Sequence, residues 1–177
     1  AQDEESAEST GPWEISADLA LTSDYVFRGV SQSQESAALQ AGLNFDHETG
    51  FYAGIWGSSV DFTDHATLPA DEDGANVEID AFIGYGFDIN DQWTGDVQLQ
   101  RYFYPGTNTG IDYDYNELIG SVSYNEMITA SVGYSNDVFA TRENGIWFGL
   151  EGNYELPWWA LSLTGELGRY DMDGLND

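Results

Sequence analysis

The sequence predicts an all-β fold, an up-and-down antiparallel transmembrane β-barrel, of which nine strands are visible in this chain. Three observations carry that expectation. Side chains alternate apolar and polar from Trp13 almost to the end. The connections between the alternating segments are by turns short and long. The acidic residues keep to one parity of the segments or fall outside them. Successive strand residues point to opposite faces, so period two means one apolar and one polar face. Short turns at one rim and longer loops at the other are the habit of outer-membrane barrels.

The segments follow in order. Residues 1–12 hold four acids and no large aliphatic side chain, and read as an acidic flexible tail. The barrel domain is expected over 13–177. Its first strand, 13–28, sets Trp13, Ile15, Leu19, Leu21, Tyr25 and Phe27 against Glu14, Asp18, Asp24 and Arg28. The second, 37–47, opposes Leu39, Leu43 and Phe45 to Gln40, Asn44 and Asp46. The third, 51–60, is ambiguous, because Phe51 and Ile55 oppose Tyr52, Trp56 and Val60. The fourth, 76–89, is the cleanest, with Val77, Ile79, Ile83, Tyr85 and Phe87 against Glu78, Asp80 and Asp88. Five more follow at 93–104, 115–124, 127–135, 145–156 and 159–170. Most run about 9–14 residues, near the ~9–11 of a tilted membrane-spanning strand and longer than the usual ~5–6.

Composition narrows the function. The chain has 177 residues, 32 acids against four arginines and no lysine, a formal net charge of −28, and no cysteine. Nucleic acid is excluded as a partner, since phosphate contacts need clustered Lys and Arg. Zero cysteine excludes thiol catalysis, disulfides and Cys-ligated metals. His47 and His65 lack paired-ligand spacing, and no nucleophile elbow or phosphate loop occurs, so no enzyme is expected. The acid clusters at 71–74, 112–116 and 171–174 complete no calcium loop of EF-hand type. They read as solvated loop acids, and neither a metal nor a cofactor is expected.

If the polar parity faces inward, Asp18, Glu78, Asp80, Asp96, Glu117, Glu151 and Glu166 line a lumen with Arg28 at its mouth. Such a lining concentrates cations and repels anions. Asp18, Glu78, Asp80, Asp96 and Glu151 are the candidates for its constriction. The apolar parity carries aromatics near strand ends, the girdle that marks both membrane interfaces. Trp13, Tyr25, Phe27, Trp93 and Trp159 are the expected lipid-interface aromatics. Arg101 and Arg169 also sit on that parity. They either snorkel to lipid phosphates at the rim or mark a β-bulge that turns Tyr102 and Tyr104 outward.

Four stretches carry a family likeness: Leu21-Thr-Ser-Asp-Tyr-Val-Phe-Arg-Gly-Val-Ser-Gln-Ser33, Gly50-Phe-Tyr-Ala-Gly-Ile-Trp-Gly-Ser58, Asn76-Val-Glu-Ile-Asp80 and Tyr102-Phe-Tyr-Pro-Gly106. Together they resemble the TorF-family porins, a proteobacterial conserved hypothetical outer-membrane family. The resemblance implies a longer chain and a complete barrel of about 12 strands, so the C-terminal strands are expected to be missing here. It brings no substrate and no catalytic residue.

The expected function is passive, cation-preferring diffusion of small hydrophilic solutes across a Gram-negative outer membrane, reached after removal of a signal peptide. The partners are outer-membrane lipid, lipopolysaccharide and the solutes themselves, with room for a homo-oligomer. One alternative is a structural or surface-assembly barrel that transports nothing. Another is a soluble acidic β-protein whose charge serves solubility.

Overall fold

A computed structural model describes residues 2–7, 11–62, 74–106, 113–138, 143–156 and 161–172. The chain is all-β, with no α-helix among these residues. Ten strands form one antiparallel sheet: β1 (Gln2–Ala7), β2 (Trp13–Thr22), β5 (Ala38–His47), β6 (Phe51–Ser59), β7 (Val77–Asn90), β8 (Trp93–Phe103), β9 (Tyr115–Tyr124), β10 (Ile128–Ser135), β11 (Gly145–Leu156) and β12 (Leu161–Met172). Each strand in that series pairs with the next, the order of a simple meander. Two short strands, β3 (Val26–Phe27) and β4 (Val30–Ser31), make a separate hairpin.

Eight of the nine expected strands match the observed limits within two residues. The first does not, for β2 ends at Thr22 and the chain then turns. Nor is the acidic tail structureless throughout, since Gln2–Ala7 runs along β2 from the pair Gln2↔Ala20 to Ala7↔Ile15. A charged segment on an outer edge is a common way to keep a sheet from pairing further. The sheet is not closed, and β1 and β12 are its two edges.

Turn chemistry explains the short rim. Asn125 and Glu126 both have positive φ, 50° and 58°, and the Met127 amide donates to the Tyr124 carbonyl at 3.0 Å. That is the type I′ turn whose twist matches a two-residue hairpin. At 48–50, Gly50 takes φ 96°, a conformation that favours glycine, and its amide donates to the His47 carbonyl. The opposite rim carries the long connections after β2, β6, β8 and β10.

The sheet is curled, as the reach of one side chain shows. Seven strand-to-strand steps separate β2 from β11, about 34 Å in a flat sheet at about 4.8 Å per step. Yet Arg28, six residues past the end of β2, lies over the ring of Trp147 on β11, 5.0 Å from its centroid. Curling gives the two faces opposite characters. Ile79 and Ile83 on β7 are 39% and 57% exposed, while Glu78 and Asp80 between and beside them are 1% and 4% exposed. Leu19, Leu43, Ile55, Leu99, Leu118, Val132 and Leu150 are exposed on the same outer face. This assigns the ambiguous third strand, with Phe51 and Ile55 outward and Val60 buried.

Aromatics mark the outer face near the short turns. Trp13 meets the His47 ring at 4.5 Å, Phe51 meets Tyr85 at 4.7 Å, and Trp93 meets Tyr124 at 4.9 Å. The buried apolar cluster lies at the other end, inside the curl. It comprises Val60, Ala75, Tyr102, Tyr104 and Tyr115, with Tyr25, Phe27, Phe62 and Tyr113 packed against it.

Candidate functional site

The concave face holds the polar chemistry, and an inward-folded hairpin organises it. After Thr22 the chain is held in a turn by Asp24, whose Oδ1 accepts from the Ser31 hydroxyl at 2.6 Å and the Ser33 hydroxyl at 2.9 Å. The Gln32 amide donates to the Tyr25 carbonyl at 2.7 Å, and the Asp61 amide ties the segment to the next loop through the Gln32 carbonyl. Arg28 and Gly29, at φ 50° and 82°, form the two-residue type I′ tip between β3 and β4. The tip drives the Arg28 side chain into the interior.

There the guanidinium is bidentate on Glu117 of β9. Nη1 donates to Oε1 at 2.8 Å and Nη2 to Oε2 at 2.7 Å, and Oε2 also accepts from the Tyr102 hydroxyl at 3.2 Å. Phe27, Trp147 and Tyr170 surround the guanidinium, their centroids 4.7, 5.0 and 5.6 Å away. Fork geometry and flat aromatic faces both suit arginine better than lysine. Burial alone would ease the Arg28 proton off, but the hydrogen bonds and charge of Glu117 outweigh it and raise the pKa.

A second polar row runs along β8. The Tyr52 hydroxyl lies 2.9 Å from both Asp96 Oδ1 and Gln98 Oε1. Gln98 Nε2 donates to Gln100 Oε1 at 2.5 Å, and Gln100 Nε2 to Asp80 Oδ2 at 2.8 Å. Beside Asp80, Glu78 Oε1 accepts from the Tyr25 hydroxyl at 3.2 Å. Burial first, then the charges of Glu78 and Asp80, hold the Tyr25 phenol well above its ordinary pKa, so it remains a donor.

The expected lumen residues therefore divide. Glu78, Asp80 and Glu117 are buried in the concave interior, with Arg28 beside Glu117. Asp18 and Asp96 are half-buried on the same face, and Asp18 faces Gly42, where an added Cβ would meet its carboxylate. Glu151 and Glu166 stand opposite one another on β11 and β12 and are exposed, because this part of the sheet lies next to its open edge.

Two expected lipid-interface aromatics are corrected. Tyr25 and Phe27 lie inside, Tyr25 against Trp56 at 5.4 Å and Phe27 against Tyr102 at 6.0 Å. The turn at Asp24 breaks the parity that assigned them outward. Trp13 and Trp93 are exposed on the outer face, and Trp159 lies outside the described residues. Arg101 stays on the outer parity, 3.2 Å from Asp114 and 5.0 Å from the Phe103 centroid. The bulge alternative is overturned, since β7 and β8 pair without interruption from Ile79↔Phe103 to Asp88↔Thr94, and Tyr102 and Tyr104 are buried. Arg169 is largely exposed, 3.6 Å from Asp171.

Sequence reasoning did not single out Tyr52, Gln98, Gln100, Tyr115, Trp147 and Tyr170 as interior groups, and it left Tyr102 and Tyr104 open between inward and outward. The signal was available along β8 and the residue after it, where Asp96, Gln98, Gln100, Tyr102 and Tyr104 share one parity. No group of three or more His, Cys, Asp or Glu is placed to hold a metal among the described residues.

The class defined by these features is a curled, all-β antiparallel meander with an apolar convex face and a carboxylate-rich concave one. The chain belongs to the Gcw_chp family, described as bacterial protein of unknown function, whose model matches residues 6–176. No curated protein and no solved structure matches it.

Proposed function

We propose that this chain forms an outer-membrane β-barrel through which small hydrophilic solutes diffuse passively, cations in preference to anions. The observation that carries the reading is the inversion of burial along single strands. Ile79 and Ile83 face out while Glu78 and Asp80 are shut in, a pattern that suits lipid outside and a polar interior. A soluble sheet would put the same leucines and isoleucines in a dry core. The outer aromatic belt near the short turns and the alternation of loop lengths support it further. So does the resemblance to TorF-family porins, which implies an outer-membrane barrel.

The excess of interior carboxylates over the guanidinium of Arg28 gives a negative potential that favours cations. Planar-bilayer recording of the complete barrel across a salt gradient tests this. A cation-preferring reversal potential is expected, and an anion-preferring one contradicts it. A second reading, a structural barrel without transport, is favoured by one observation. The hairpin packs against the aromatic cluster inside the long-loop end of the sheet. Absence of any conductance step in the same recording would select that reading.

A further inference from the structure

We propose that Glu78 and Asp80, with the phenolic oxygen of Tyr25, form a binding site for a hard divalent cation of the calcium class. The two carboxylates lie two residues apart on β7, on one face, and both are more than nine-tenths buried. Each has one oxygen satisfied, Glu78 Oε1 by Tyr25 and Asp80 Oδ2 by Gln100. The other oxygen of each, Glu78 Oε2 and Asp80 Oδ1, is buried and accepts no hydrogen bond. The nearby guanidinium of Arg28 is already engaged by both oxygens of Glu117.

Two buried carboxylates without a counter-charge cost several kcal/mol each. A cation seated between the two free oxygens removes the repulsion and satisfies both acceptors together. Among the described residues the surrounding donors are carboxylate and phenol oxygens, with no sulfur or imidazole, which selects a hard ion over zinc or copper. Calcium accepts irregular geometry and completes its shell with water, so two carboxylates suffice where an all-protein cage would need more. The sequence reading expected no metal because it looked for loop motifs, and this site is built on a strand and closed by a hairpin. The proposal rests on the polar-interior reading for the route by which an ion arrives. Binding itself requires no conduction.

The test uses the full chain folded in detergent micelles and stripped with a chelator. Tb3+ serves as the calcium probe, its luminescence sensitised by the adjoining Tyr25. Saturable luminescence displaced by Ca2+ but not by K+ is expected. Glu78→Gln and Asp80→Asn should each weaken both ions at least about tenfold, whereas Glu151→Gln and Glu166→Gln leave the affinity unchanged. Equal affinity in wild type, Glu78→Gln and Asp80→Asn would overturn the site. Should those variants fail to fold, the wild type decides. Ca2+ must raise its urea midpoint more than K+ at matched ionic strength, and no such rise means the carboxyl pair holds a proton instead. Because the readout is binding in micelles, failure here leaves the bilayer result standing, and a silent bilayer leaves the site standing.

Discussion

Replacing Arg28 by alanine leaves Glu117 in place with nothing to neutralise it. Glu117 is 0% exposed, and of the three hydrogen bonds given to its oxygens, two come from Arg28 and one from the Tyr102 hydroxyl. Breaking one side of a buried ion pair typically costs about 3–5 kcal/mol, most of it the penalty of the stranded charge. The guanidinium also lies over Phe27, Trp147 and Tyr170, and contacts of this kind are worth up to about 2 kcal/mol when desolvated. The two losses overlap, so the expected destabilisation of Arg28→Ala is about 3–5 kcal/mol. Urea unfolding in micelles, followed by tryptophan fluorescence, measures it. The Arg28→Ala/Glu117→Ala double variant should lose much less than the two singles combined, with a coupling of at least about 1.5 kcal/mol. Hydrogen exchange at the Gln32 and Asp61 amides reports whether the hairpin undocks first, since both are bonded through it. The reasoning is refuted if Arg28→Ala lies within about 0.5 kcal/mol of wild type, as a plain surface substitution would. It is refuted equally if the double variant is additive.

Other positions separate the remaining terms. Ile83→Arg places a charge on the outward face in mid-β7, and should cost about 2–4 kcal/mol for folding into a bilayer but little in a water-facing sheet; folding into lipid vesicles across a urea series tells the two apart. Gly168→Ala puts a Cβ into the Trp147 ring, whereas Gly165→Ala meets nothing; the first should lose about 1–3 kcal/mol and shift tryptophan emission, and the second should stay near wild type. Glu126→Gly relieves a non-glycine residue at φ 58° and should gain about 1 kcal/mol, read as a higher urea midpoint with unchanged slope.

What was legible in the sequence follows from which features are local. Period two is local, and β7 could be read residue by residue because Glu78, Asp80 and Asp88 share one parity against Val77, Ile79 and Ile83. Turn limits were legible for the same reason, as at 125–126. The hairpin was not, because Ser23, Tyr25 and Phe27 continue the apolar parity of β2 without a visible break. The reversal rests on Asp24 accepting from Ser31 and Ser33, seven and nine residues on. Pairing partners were beyond reach as well. Arg28 meets Glu117 across 89 positions of chain, and only the curl of the sheet brings them together. Glu151 and Glu166 show the reverse error, since parity alone could not tell that the sheet's open edge exposes them.

The most direct test of an apolar face toward lipid and a polar face inward is a spin-label scan of β7 and β8 in bilayers. The chain has no cysteine, so each engineered cysteine is unique. Oxygen, which partitions into lipid, should relax labels at Ile79, Ile83, Tyr85, Val97 and Leu99 most strongly. A water-soluble nickel chelate should act instead on the alternate positions Phe82, Asp96 and Gln98. A scan in which that phase is reversed, or in which the nickel reagent reaches Ile79, Ile83 and Leu99 as readily as Asp96, would contradict the account.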